Sequence, residues 1–216
     1  MFEHVIELEV PVIWEEVIEV KLDGDIKIVK TLDNEYSARA ILVATGAVPR
    51  TLNVPGEENF TRNGISWCAI CDGPLFKDKE VVVVGGGNSA VEESIFLSNI
   101  AKKITLVQNI DHLTADPKAQ DILRKMDNVE FIFNAKVKEF KGDKNLEAVV
   151  IETNEGIREV KADGTFEYIG LVPVTNFLNG LGITNEAGYV KAKIDMTTDI
   201  PGIFSSGDVN VKPIRQ

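Results

Sequence analysis

Between Gly64 and Val91 the chain reads GISWCAICDGPLFKDKEVVVVGGGNSAV. Cys68 and Cys71 are its only cysteines, three positions apart and followed at once by Asp72. A disulfide at that spacing closes a very small ring and adds little as a staple, because the loop entropy it removes grows with loop length. The pair therefore suits reversible thiol–disulfide exchange, in which one thiol needs a lowered pKa to attack near neutral pH. Two other readings stand beside it: two buried apolar thiols, or half of a zinc site. Zinc would need two further good ligands, and the only histidines, His4 and His112, lie far apart in the sequence. Asp72 is placed to pass a proton to an arriving or departing thiol, or to close a turn with Gly73 and Pro74. Trp67, just before the pair, either flanks a disulfide or fills a core.

A second chemistry follows within a few residues. Gly85-Gly86-Gly87-Asn88-Ser89-Ala90 fits the G-x-G-x-x-G/A turn that cradles a dinucleotide, with an apolar strand before it and a helix after it. Gly85 would permit the tight turn, Gly87 would let the backbone approach a pyrophosphate, and Ala90 would let the helix pack close to its strand. Asn88 and Ser89 open that helix, whose N-terminus would receive the negative charge. The plainer reading is a glycine-rich turn with no ligand. An acid about 20 residues on normally grips the adenosine ribose. Here the next strand ends at Val107, and Gln108-Asn109-Ile110-Asp111 follow, with neither a directly placed acid nor an arginine. A 2′-phosphate needs cationic partners, so NADH is expected over NADPH, with Gln108 as the ribose contact and Asp111 as the weaker candidate.

The elements that must position these groups are readable around them. Val81–Val84 is an almost purely apolar run, as in a parallel strand covered on both faces. Ala90–Asn99 has helical spacing, and Ile104–Val107 is a second buried strand, so a βαβ unit is expected. Asp116–Met126 reads as a helix with Asp116 as N-cap and Pro117 in its first turn. Strands are expected at Pro11–Val20, Ile26–Leu32, Ala40–Ala44, Phe131–Phe133, Val137–Phe140, Leu146–Glu152, Ile157–Lys161 and Thr165–Ile169. The stretch VPRTLNVPGEENF, rich in Pro and Gly, reads as a crossover between domains, and Asp163-Gly164 as hinge-like.

The 216 residues suffice for one large or two small domains, and 44% apolar with 26% charged residues is an ordinary globular balance. The formal charge of −11 argues against nucleic acid or an anionic membrane as partner. No apolar run is long enough to span a bilayer, and the opening MFEHVIELEV lacks the pattern of a signal peptide, so a cytoplasmic protein is expected.

The whole pattern resembles the low-molecular-weight thioredoxin reductase family. The resemblance is carried by Cys68-Ala-Ile-Cys71-Asp72-Gly73, Phe76, the apolar run to Val84 and Gly85-Gly86-Gly87-Asn88. Ala44-Thr45-Gly46 agrees with it, as does Gly202-Ile-Phe-Ser-Ser-Gly207-Asp208-Val209, and the likeness continues through Lys212 to Arg215 and Gln216. It implies an α/β fold: a Rossmann-like nucleotide-binding domain, three-layered with a parallel sheet plus antiparallel strands, and a partial FAD-binding domain. The expected division is 1–55 and 164–216 for the flavin part and 56–163 for the NAD(P) part carrying the cysteines, with hinges at Val54–Glu57 and Ala162–Thr165. Thr45, Gly46, Gly207, Asp208, Arg215 and Gln216 are the implied flavin contacts.

The implied activity is a relay from reduced nicotinamide through FAD to the Cys68–Cys71 disulfide, then to thioredoxin or a glutaredoxin-like protein. Cys68 would attack the partner, Cys71 would face the flavin, and Asp72 would be the general acid. Relatives form homodimers through the flavin domain. Two departures stand out. Residues 1–44 contain no G-x-G-x-x-G turn, so a chain shortened at both ends, and an inactive flavin-free nucleotide-binding fragment, are alternatives. The basic cluster of NADPH-using relatives is replaced by Gln108, Asn109, Ile110 and Thr114, which would also suit a different electron donor such as ferredoxin.

Overall fold

A computed structural model of the chain describes residues 2–212, so Arg215 and Gln216 lie outside the described residues. The chain divides into two compact units: residues 1–48 with 172–216, and residues 49–171.

Unit 1 opens with a short helix, α1 (Phe2–Glu7), and an antiparallel meander of β1 (Val17–Asp23), β2 (Ile26–Thr31) and β3 (Glu35–Ala38). The expected strand at Pro11–Val20 is shifted. Residues 11–16 form no regular structure, and Val12, Ile13 and Trp14 are exposed. β-Branched residue types alone do not make a strand where no neighbouring strand supplies ladder partners. Next come β4 (Ile41–Val43) and β5 (Ala47–Pro49), in which the chain leaves this unit.

Unit 2 runs through α2 (Glu57–Phe60), β6 (Ile65–Ser66), α3 (Ala69–Asp72), β7 (Glu80–Val84), α4 (Asn88–Ser98), β8 (Lys103–Val107), α5 (Pro117–Leu123) and β9 (Val129–Ile132). An antiparallel meander follows, β10 (Lys136–Gly142), β11 (Leu146–Thr153) and β12 (Gly156–Lys161), and then β13 (Gly164–Glu167). Five strands form one parallel sheet in the order β6-β13-β7-β8-β9.

The valine run of β7 shows why this sheet is the middle layer. Successive side chains of a strand point to opposite faces. Val82 and Val84 enter a core with Val137, Phe140, Val149, Ile151 and Val160 of the antiparallel meander. Val81 and Val83 enter a second core with Ala90, Val91 and Leu97 of α4. Burying one such side chain stabilises the fold by about 1.5–3 kcal/mol, so neither face of β7 can be given up. The fold is thus an α/β three-layer arrangement of helices, parallel sheet and antiparallel sheet.

Several boundaries move by one to three residues, among them β9, which runs Val129–Ile132, and α4, which runs Asn88–Ser98, and two further differences have a readable cause. The helix at residues 116–126 ends at Leu123, because Lys125 and Met126 bond back to Ile122 and Leu123 in tighter i→i−3 turns. Its start is as read, with the Asp116 side chain accepting from the Lys118 N–H at 2.9 Å. The division at 163/164 is also displaced. Gly164 begins β13, which lies between β6 and β7 in the middle sheet, and the chain leaves unit 2 only after Leu171. Gly164 and Thr165 therefore sit inside the sheet, residues 162–165 lie within unit 2 rather than at a crossing between units, and Val54–Glu57 likewise lies within unit 2. A Cβ at position 164 would collide with the Phe76 ring; glycine stands there to admit that ring, not to provide a hinge. Beyond Leu171, β14 (Leu171–Pro173) re-enters unit 1, where β15 (Ile203–Ser205) pairs in parallel with β4 over a core of Val20, Val43, Leu178, Val190 and Ile203.

Candidate active site

The two cysteines are joined as a disulfide at the start of α3. Asp72 closes that helix, and its carboxylate accepts from the Ser66 hydroxyl at 2.6 Å. The same hydroxyl oxygen accepts from the Cys68 N–H at 3.1 Å. Ser66 therefore ties the carboxylate to the backbone of the first cysteine. Its spacing, two residues before Cys68, was the signal that sequence reading passed over. A cavity of about 680 Å³, lined by Arg62, Ser66, Trp67, Cys68, Cys71 and Asp72 among others, opens beside the disulfide.

The first turn of α3 is held by two more distant groups. Tyr168 accepts from the Ala69 N–H at 2.9 Å through its hydroxyl. Glu93 of α4 turns its carboxyl toward the backbone of Ala69 and Ile70, and burial raises its pKa. Trp67 donates its indole N–H to Glu167 at 3.1 Å. Glu167 is 2% exposed at the end of β13, and burial, followed by the neighbouring Glu57 carboxylate, pushes its pKa up to about 8. Glu57, itself buried, accepts from the backbone N–H groups of Leu52 and Val54. A proton on Glu167 thus lets two buried carboxyl groups sit side by side.

The glycine turn stands at the C-terminal end of β7. Gly85 has φ of +124°, and a Cβ there would collide with the Tyr168 carbonyl oxygen. Gly87 differs: a Cβ there would meet nothing nearer than the Thr114 hydroxyl at 3.9 Å. It is the N-cap of α4 and offers no side-chain cap, so the first N–H groups of the helix are left for a ligand. Ala90 is fully buried against the sheet, Ser89 is exposed, and the Asn88 side chain accepts from the Asp116 N–H at 2.7 Å.

A cleft of about 480 Å³ covers this turn, lined by Gly85, Gly86, Gly87, Gln108, Asn109 and Tyr168 and, from elsewhere in the chain, by Arg50 and Lys136. Gln108 is buried, its amide oxygen accepting from the Asn109 N–H at 3.1 Å and its nitrogen donating to the His112 carbonyl at 3.4 Å. Its own loop therefore holds it. Asp111 is not among the lining residues and pairs with His112 at 2.6 Å. Open space at Gly87 and unfilled helix N–H groups are what a pyrophosphate requires, so the cleft fits a dinucleotide.

In unit 1, Thr45 and Gly46 follow β4 while Gly207 and Asp208 follow β15, at the same ends of two parallel strands. Gly46 (φ +69°) and Gly207 (φ +84°) both have open space where a Cβ would stand. Thr45 donates to the Val174 carbonyl at 2.6 Å, and Asp208 pairs with Lys212. This open backbone suits part of a flavin cradle.

Fold and site together define a class. Residues 5–216 match the family described as pyridine nucleotide-disulphide oxidoreductase, and the chain belongs to that family. Its relatives include a thioredoxin reductase of Listeria monocytogenes, 44% identical over 199 residues, which span 90% of this chain and 62% of that protein. A thioredoxin reductase of Bacillus subtilis is 42% identical over 224 residues, covering all of this chain and 69% of that one. The crystal structure of the Lactococcus lactis thioredoxin reductase superposes with a TM-score of 0.80 at 39% identity, over 94% of this chain and 68% of that one. The chain thus spans less than two thirds of the length of the Listeria relative. Among the described residues no helix is long and apolar enough to cross a membrane.

Two outcomes are expected. Gly87→Ala should leave thermal stability within about 1 kcal/mol, because its Cβ has room, yet weaken dinucleotide binding strongly in calorimetry; equal affinity would count against the cradle. Glu167 carries a raised folded pKa, so the stability it contributes is full below its unfolded value of 4.5 and is lost as pH rises through about 8. Denaturant unfolding measured between pH 5 and 9 should show stability falling with pH, and Glu167→Gln should flatten that slope; unchanged slopes would refute the raised pKa.

Proposed function

We propose that this protein passes electrons from a reduced pyridine dinucleotide, through FAD, to the Cys68–Cys71 disulfide and on to thioredoxin or a glutaredoxin-like protein. The observation that carries the reading is the disulfide and the dinucleotide cradle built onto one parallel sheet, with Tyr168 touching both. The names of the relatives agree with it. In this reading unit 2 holds the pyridine nucleotide and unit 1 holds the flavin.

When bound, FAD supplies the conversion of hydride chemistry at nicotinamide into two-electron reduction of a disulfide. The chain's own residues do the rest. Gly87 and the open N–H groups of α4 hold the pyrophosphate. The Cys68–Cys71 bond accepts two electrons and two protons, becoming two thiols. Asp72, carried on the same short helix and oriented by Ser66, holds a proton for the sulfur that leaves. The Cys68 thiolate then attacks one sulfur of the partner's disulfide and expels the other. Cys71 attacks the resulting mixed disulfide, re-forming the intramolecular bond and releasing the partner reduced. Two electrons and two protons have moved, and no other reductant is needed.

The test is an anaerobic titration of the purified, FAD-supplemented chain, followed through the visible flavin band. Reduced dinucleotide should bleach the band, and thioredoxin disulfide should restore it. Cys68→Ser should keep the bleaching and abolish thioredoxin reduction. Absence of a flavin band sinks the flavoprotein reading; bleaching lost in Cys68→Ser overturns the order of transfer.

A further inference from the structure

Two carboxyl groups buried side by side are costly, and the Glu57–Glu167 pair stands directly behind the redox segment. Strand alternation explains how it comes there. Phe166 enters the core on the helix side of the middle sheet, so Glu167, the next residue of β13, turns to the other face. Ser66 pairs with Phe166 in register, so Trp67 leaves β6 level with Glu167. The indole N–H of Trp67 then donates to Glu167 Oε2 at 3.1 Å. The same tryptophan packs on the core beneath the antiparallel meander and lines the cavity beside the disulfide.

The second oxygen has no such donor. Glu167 Oε1 is buried without a hydrogen-bond partner among the described residues. The groups that bear on the charge of Glu167 are the Glu57 carboxyl, from α2, and the Trp67 indole, and neither is a cation. The core on that face is apolar, with Val84 of β7, Val137 and Phe140 of β10 and Val149 of β11. Glu57 is well held, since its two oxygens accept from the Leu52 N–H at 2.8 Å and the Val54 N–H at 3.3 Å. A proton on Glu167 lets the pair stay buried. Once that proton leaves, two like charges face each other away from water, and one carboxylate must move. Glu57 has two backbone donors, whereas Glu167 has the indole alone. Glu167 therefore gives way and takes the Trp67 ring with it.

Cys68 follows Trp67 directly. Its N–H donates to the Ser66 hydroxyl oxygen, and that hydroxyl donates to Asp72. The indole thus anchors a run of residues, 66–68, that orients both the first cysteine and the carboxylate holding its proton. We infer that Glu167 is a positioning residue for disulfide exchange: through the Trp67 indole it fixes the segment that presents Cys68, and the hold lasts only while the Glu57–Glu167 pair keeps its proton. All of these groups lie in unit 2. The inference rests on the disulfide-exchange reading of Cys68 and needs neither flavin nor dinucleotide.

Two readouts test it on the full chain. Trp14, 82% exposed, is the only other tryptophan, so Trp14→Phe leaves Trp67 as the sole indole reporter. In that background Trp67 emission should change between pH 6 and pH 9 with a midpoint near 8. Glu167→Gln keeps an acceptor for the indole and cannot ionise, so it should show no transition. Exchange is followed by mixing the pre-reduced chain, freed of reductant, with thioredoxin disulfide. Cys68 and Cys71 are oxidised to their disulfide as the thioredoxin disulfide is reduced to two thiols, with no other reactant. The ratio of the Glu167→Gln rate to that of the unaltered chain cancels the ionisation of the thiols themselves. It should be near one at pH 6 and about tenfold at pH 9, where about one chain in ten keeps the proton. Flat Trp67 emission, a transition that survives Glu167→Gln, or a ratio still near one at pH 9 overturns the inference and leaves the exchange reading intact. No exchange by the unaltered chain at any pH overturns both.

Discussion

The hydrogen-bond register between β13 and β7 is the constraint on which the rest depends. Pairing Glu167 with Val84 puts Tyr168 just past the ends of both strands, where its N–H donates to the Val84 carbonyl at 2.8 Å. From there its carbonyl oxygen packs against Gly85, its hydroxyl takes the Ala69 N–H beside Cys68, and the residue is one of those lining the cleft. A slip of one residue would turn Phe166 from one core to the other and move Tyr168 off both contacts. The nucleotide cradle and the redox pair are thus positioned by one strand end, and the double-sided burial of the valines in β7 holds that strand end still.

How much of this was legible in the sequence follows from how local each signal is. The βαβ unit was readable because its evidence is contiguous: an apolar run, a glycine turn, a helical period and a second apolar run. The Asp116 cap was readable for the same reason, since cap and partner are two residues apart. The role of Gly164 was not. A Gly next to an Asp reads as a hinge, whereas here the glycine makes room for the Phe76 ring, 88 positions earlier in the chain, within the same unit. The strand expected from Pro11 failed because residue type cannot report whether a ladder partner exists.

The site divides in the same way. Cys68, Cys71 and Asp72 are neighbours in the chain and come together in space. Ser66 completes them from two residues away. Glu57, Glu167, Tyr168 and Lys136 reach the site only through strand pairing and packing, and their types alone gave no warning. Glu167 in particular ends an apolar strand, where a buried carboxyl costs free energy unless it is protonated or paired. Burial first and the neighbouring Glu57 carboxylate second push its pKa up to about 8, so it is held neutral below that pH, and Trp67 donates to one of its oxygens. Charge is arranged by the same logic. A strongly acidic chain keeps its carboxylates out of the cleft lining and leaves the cations Arg50 and Lys136 there, which draws an anionic ligand to the glycine turn.

The central claim is that the open turn at the end of β7 is a dinucleotide site, on the same unit as the disulfide. Hydrogen–deuterium exchange of the chain with and without saturating oxidised dinucleotide tests it most directly, because the amides expected to bond the ligand are specified. The account predicts slowed exchange at the first amides of α4, residues 87–90, together with the loop after β8. No slowing at residues 87–90, with protection confined to unit 1 or absent altogether, would contradict it.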